Sequence, residues 1–389
     1  MYTSAKKILE GELKAISGAG LHKAEHLLSS KQGRITVVDG KEILNFCTNN
    51  YLGLAGSDVL IEAAKNALNQ YGFGLSSVRF ICGTQQVHKD LEKKTAEFLG
   101  MDDAILYSSC MAANIGFFAA FLGEQDVILS DALNHASIID GIRACKAERY
   151  IFKHMDMQDL EQGLQQVQAK RIRCIVTDGV FSMDGDVAPL QAICNLADKY
   201  DALVVVDDSH ATGFMGKHGR GTHEHAGVEG RVDVITSTYG KALGGANGGF
   251  IAGRKEIIDM LRERSRTYLF SNSLAPVIAG TSLFAIEYIQ QHPELQEKLW
   301  ENTRYFRQEM KSAGFTIPES EHPIVPVIIG DPHKTQQMAK AMFEQGIYVV
   351  AFSYPVVPQG TDRIRVQISS AHTKEDIDKA VGAFIKAKQ

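Results

Sequence analysis

The chain has 389 residues, 44% of them hydrophobic and 22% charged, with a net charge of -5. That length exceeds one ordinary core and predicts two domains, while the interspersed charge leaves no basic field for nucleic acid. The greasiest run, Ile115 to Leu122, is too short to span a bilayer and reads as a buried helix.

Residues 5 to 30 read as a helical arm, with Ile8, Leu9, Leu13 and Ile16 at helical spacing and Gly18 and Gly20 breaking it. The arm lacks the apolar stretch of an export signal. It contains His22-Lys23-Ala24-Glu25-His26, which matches a zinc-peptidase pattern. No third ligand accompanies it, so solvated helix residues are expected and no metal site. Cysteines at 47, 82, 110, 145, 174 and 194 form no Cys-x-x-Cys pair, which predicts free thiols in a reducing cytoplasm.

Ile35 to Phe46 reads as a hairpin turning at Asp39-Gly40. Beyond it, helical stretches (58–70, 87–99, 111–122, 137–146, 188–199) alternate with short apolar strands (104–107, 127–130, 149–152, 173–177, 202–206, 232–235, 249–252). That rhythm predicts an α/β fold with a mostly parallel seven-stranded sheet between helices. A long helix over about 275 to 312 follows. Strands at 324–329, 347–350 and 364–368 with helices at 333–344 and 374–387 then predict a smaller C-terminal α/β domain. The divisions are an arm and hairpin to residue 50, a large domain over 51–280 and a small domain over 281–389.

Ligands of open α/β sheets lie beyond the carboxyl ends of the strands, so the residues after each strand carry the chemistry. Ser108-Ser109-Cys110-Met111 opens a helix of small residues, where a capped start with free amides suits a phosphate. Asn134-His135 offers a ring that could stack on an aromatic, and Ser182 lies in a turn from Asp178 to Gly185. Leu203-Val204-Val205-Val206 delivers Asp207, with His210 three positions on. A carboxylate buried there needs a partner, and a protonated pyridine nitrogen is one. Thr236-Ser237-Thr238-Tyr239-Gly240-Lys241 places a lysine at a core strand's end among hydroxyls and glycines, where its pKa can fall and its amine can meet a carbonyl. Together these are the parts that pyridoxal 5'-phosphate needs.

At these residues the sequence resembles the α-oxoamine synthases, pyridoxal-phosphate enzymes of fold type I. The resemblance rests on Asn49-Asn50-Tyr51-Leu52-Gly53-Leu54, Gly83-Thr84 before His88, Asn134-His135-Ala136-Ser137, Phe181-Ser182-Met183-Asp184-Gly185, Asp207-Asp208-Ser209-His210 and Gly240-Lys241-Ala242. It runs nearly end to end and implies a PLP-dependent acyltransferase working as a homodimer with shared active sites.

The same resemblance implies that Lys241 binds the cofactor and removes a substrate proton. It implies that Asp207 pairs with the ring nitrogen, His210 and Ser182 with the ring hydroxyl, and that His135 stacks on the ring. The amides of Cys110 and Met111 would hold the phosphate with Thr238, joined by Ser273 from the other subunit. Asn49 and Arg365 would hold the substrate carboxylate. Within the family, Ser77 to Gln85, Leu106 to Cys110, Ser130 to His135 and Tyr268 to Ser273 imply glycine and acetyl-CoA as substrates and a place in threonine and glycine metabolism. Ser77-Val78-Arg79 stands where synthases using L-alanine and pimeloyl-CoA usually carry Gly-Ser-Arg. Those substrates are the nearest alternative, followed by an aminotransferase or a non-catalytic binding protein on the same fold.

Overall fold

The computed structural model describes residues 2–18, 25–354 and 356–388. The expected hairpin forms from β1 (Ile35–Val38) and β2 (Lys41–Asn45), paired antiparallel. Its two-residue turn needs positive φ at both positions, and Asp39 (49°) and Gly40 (79°) supply it.

Seven strands then build the main sheet: β3 (Asp103–Tyr107), β4 (Val127–Asp131), β5 (Glu148–Phe152), β6 (Arg173–Asp178), β7 (Leu203–Asp207), β8 (Val234–Thr238) and β9 (Gly249–Gly253). Their order is β3-β9-β8-β7-β6-β4-β5, and only β9 runs against its neighbours. The carboxyl ends of β3, β4, β6, β7 and β8 therefore share one edge. Side chains alternate between two apolar layers. Val204 and Val206 of β7 join one, Val205 the other, and all three are buried. Residues buried on both faces explain the near-continuous hydrophobic runs.

The C-terminal strands are β10 (Ile324–Ile328), β11 (Ile347–Tyr348), β12 (Val350–Phe352) and β13 (Arg363–Gln367). β10, β13 and β12 form an antiparallel sheet. β11 instead pairs with β2 in parallel, so the N-terminal hairpin and the C-terminal segment share a sheet. The Gln367 amide donates to Phe46 O (2.7 Å), and Arg34 pairs with the buried carboxylate of Asp376 (3.2 Å).

Four expectations are corrected. The N-terminal helix is Tyr2–Gly18, and residues 25–30 are not helical: Leu28 bridges to Val38. The long helix over 275–312 is two, Pro276–Gln291 and Glu294–Ser312, because Pro293 has no amide to continue the ladder. The strand expected at 232–235 runs two residues later, as β8. The strand expected at 347–350 is split between two sheets. His22 of the His-x-x-Glu-His run lies outside the described residues; His26 pairs with Asp39 (2.6 Å) and stacks on Phe343. Among the described residues no helix is long and apolar enough to cross a membrane. None of His, Cys, Asp and Glu cluster there as a metal site.

Two buried histidines tie the C-terminal segment down in neutral form. His372 donates from Nε2 to Asn45 O (2.9 Å), accepts at Nδ1 from the Ser369 amide (3.1 Å) and stacks on Phe46. His322 donates to His210 O (2.8 Å) and accepts from the Ile324 amide (3.0 Å). Burial pushes their pKa values down, to about 4 for His372 and about 3 for His322. Unfolded imidazoles titrate near pH 6.5, so below that pH the unfolded chain takes protons that the folded chain refuses. The stabilisation is present above about pH 6.5 and is lost as pH falls toward the folded values. Urea titrations are expected to show a loss of about 2 kcal/mol per histidine between about pH 6.5 and 5. A stability unchanged over that interval would contradict this account.

Candidate active site

The carboxyl ends of the main strands enclose a cavity of ≈ 190 Å³ lined by Cys110, Met111, His135, Ser182, Asp207, His210, Thr238 and Lys241, with Ser137, Asp178, Val180 and Ser209 between them. Eight of the residues picked from the sequence thus converge on one space.

Asp207 ends β7 and is nearly fully buried. Its Oδ2 accepts from Asn114 Nδ2 (2.7 Å) and its Oδ1 from the Ser209 amide (3.0 Å). Asp178 ends the neighbouring β6 and accepts from the His135 amide (3.0 Å). Burial, then the nearby Asp207, raises the Asp178 pKa well above the usual carboxylate range. The site therefore favours one ionised acid over two.

Lys241 follows β8 and faces these acids. Burial lowers its ammonium pKa, opposed by the charge of Asp207. His210 is buried, with Nδ1 2.8 Å from the Tyr51 hydroxyl. Burial, with Lys241 and Arg365 nearby, pushes its pKa well down, so the ring is neutral. His135 stands at the rim, with Nδ1 2.7 Å from Ser137 Oγ, and burial lowers its pKa as well.

The helix Cys110–Phe121 starts at the cavity. Ser109 caps it by accepting from the Ala112 amide (3.1 Å), while the first amides, those of Cys110 and Met111, have no carbonyl a turn earlier. This start packs directly on Gly249 of β9. A Cβ there would sit 2.3 Å from Cys110 N, so only glycine admits the helix start at this depth. Thr238 Oγ1 donates to Gly248 O (2.9 Å).

Three predicted residues are not in the cavity lining. Arg365, on β13, donates from Nη1 to Ser182 O (2.9 Å), stacks over Phe352 and leaves a buried Nε without a partner. Asn49 accepts from Gln367 Nε2 (2.5 Å). Ser273 Oγ donates to Gly83 O (2.5 Å) and lies 3.3 Å from Ser77 O, in a segment bridged to Val78 through Asn272. Sequence reasoning missed Asn114, Tyr51 and Asp178. Asn114 lies one helical turn beyond Cys110, and Tyr51 lies inside a quoted motif; those spacings were the available signals.

An amine, a buried carboxyl group across from it, an open imidazole face and unpaired helix-start amides fit a phosphorylated pyridine aldehyde. They define the site of a PLP-dependent enzyme of fold type I. The model of the family "Aminotransferase class I and II" matches residues 41–384, and the chain belongs to that family, within its α-oxoamine synthases, with pyridoxal 5'-phosphate as cofactor. It is 55% identical to the 2-amino-3-ketobutyrate coenzyme A ligase of Escherichia coli K12, over 97% of this chain and 96% of that protein. It is 46% identical to the 8-amino-7-oxononanoate synthase of Thermosipho melanesiensis, over 97% of each. Serine palmitoyltransferase from S. paucimobilis, solved with PLP and myriocin bound, superposes with a TM-score of 0.93 at 31% identity, covering 100% of this chain and 98% of that one.

Proposed function

We propose that the chain condenses glycine with acetyl-CoA, giving 2-amino-3-oxobutyrate and CoA. The observation that carries this reading is the 55% identity to the E. coli ligase across nearly the whole of both proteins. The 46% identity to an oxononanoate synthase supports the second reading, L-alanine with pimeloyl-CoA.

When bound, the cofactor supplies a protonated ring that accepts the electron pair left as a proton departs the amino acid's α-carbon. The Cys110 and Met111 amides would hold its phosphate, with Thr238 turning its hydroxyl from Gly248 O. Asp207, oriented by the Asn114 side chain and the Ser209 amide, would hold the proton at the ring nitrogen. His135 would present its flat face to the ring, and His210 and Ser182 would hold the ring hydroxyl. Lys241 would hold the cofactor through its amine and, once freed, would take the α-proton at Nζ. Burial favours its neutral form. Arg365, with its unpaired Nε, and Asn49 receive the substrate carboxylate.

The chain acts as a cytoplasmic homodimer in this reading, with Ser273 serving the partner's site and the reaction placed in threonine and glycine metabolism. Exposed Phe80 (63%), Ile81 (69%) and Phe270 (66%) surround the Val78–Asn272 bridge and support such pairing.

Release of CoA is expected to be at least about tenfold faster, in kcat/KM, with glycine and acetyl-CoA than with L-alanine and pimeloyl-CoA. The opposite preference in a thiol-release assay would move the assignment to the second reading.

A further inference from the structure

Beside the cavity, but not lining it, His154 stands between two carboxylates. Its Nδ1 lies 3.0 Å from Asp131 Oδ1 and its Nε2 3.4 Å from Asp186 Oδ2. The ring meets Phe181 edge-on at 4.4 Å between centroids. Asp131 ends β4 with its side chain 1% exposed. The same carboxylate accepts from the amides of Leu133 (2.8 Å) and Met155 (2.9 Å). Met155 has a φ of 53°, a left-handed conformation that costs a non-glycine residue about 1 kcal/mol or more.

Two segments meet at this imidazole. One leaves β4 and ends in His135. The other is the turn 181–186, closed by the Phe181 amide on Asp186 O (3.0 Å), which carries Ser182. On its far side the turn is held by β13: Arg363 donates to Met183 O (3.2 Å) and Arg365 to Ser182 O (2.9 Å). His154 is the anchor on the near side.

We propose that His154 is a positioning residue: by bridging Asp131 and Asp186 it fixes the loop ending in His135 against the turn carrying Ser182. Both partners are acceptors, so both ring nitrogens must carry hydrogen, which only the imidazolium provides. Burial opposes that charge, but the hydrogen bonds to Asp131 and Asp186 outweigh it and raise the pKa to about 9. Asp131 and Asp186 are the charged groups facing the ring. The kinetic consequence rests on the function proposed above, since it needs His135 and Ser182 to orient the cofactor; the structural one does not.

The test is hydrogen exchange and kinetics on cofactor-loaded His154→Gln, whose donors sit on one nitrogen where the imidazolium offers two separate ones. Exchange at residues 132–135 and 181–186 is expected to rise together by about tenfold, with β7 and the helix Leu190–Tyr200 unchanged. For glycine, kcat is expected to fall about tenfold and KM to stay within about twofold. Asp186→Ala, which removes the acceptor at a partly exposed position, should reproduce both effects, and the double variant should be no worse than either single one. Unchanged exchange in these two segments would overturn the proposal. So would an even rise through β4, β6 and β7, or additive losses in the double variant. If the wild type proved inactive toward glycine, exchange would still decide the bridge, so the two failures can be told apart.

Discussion

Lys241→Ala is expected to lower glycine-dependent CoA release by about 10⁴-fold or more, because one substitution removes both the covalent tether and the proton acceptor. The amine sits where burial holds its pKa down, with no second lysine lining the cavity to replace it. Borohydride should fix the cofactor to the Lys241 peptide in the wild type and leave no adduct in the variant. Folding should persist, since the Lys241 side chain makes no hydrogen bond among the described residues. An alanine variant that turns over at a normal rate, or a wild type whose adduct maps to another lysine, would remove Lys241 from the chemistry.

Asp207→Asn is expected to cost about 10²- to 10³-fold in kcat, the range seen when one preorganised electrostatic group is lost. Asparagine keeps the size of the side chain. It can still accept at one oxygen, so either the Asn114 or the Ser209 bond survives. What disappears is the negative charge, and with it the means of keeping a proton on the ring nitrogen. Cofactor affinity should weaken as well, read by equilibrium dialysis. A variant with unchanged kcat would show that the charge at this strand end is dispensable.

The main sheet was legible because each strand carries a short run of two to four consecutive apolar residues, and most are followed by polar or glycine residues. The same pattern exposed Asp207, His135, Ser182 and Lys241, which owe their position to strand ends sharing one edge. The supporting residues were harder to see. Asn114 meets Asp207 across 93 residues of chain, and Tyr51 meets His210 across 159. Neither residue type is unusual in its local setting, and pairing over such distances is decided by packing. The break at Pro293 was hidden because apolar spacing continues on both sides of it. β11 read as one strand with its neighbour, since no local property says which sheet two apolar residues will join. Family motifs gave roles to Asn49, Arg365 and Ser273 that strand ends alone did not suggest, and the structure sets these three outside the cavity lining of their own chain.

The hairpin that pairs with β11 has a consequence for biosynthesis. Leu44 leaves the ribosome early, yet its parallel partner Ile347 is translated about 300 residues later. At ordinary elongation speeds that delay is roughly 15 to 60 s. The central sheet can collapse during this interval, while the nascent amino-terminal hairpin waits with one edge unclaimed. Chaperone dependence should therefore concentrate on the last stage of synthesis, when the two ends of the polypeptide first become able to meet.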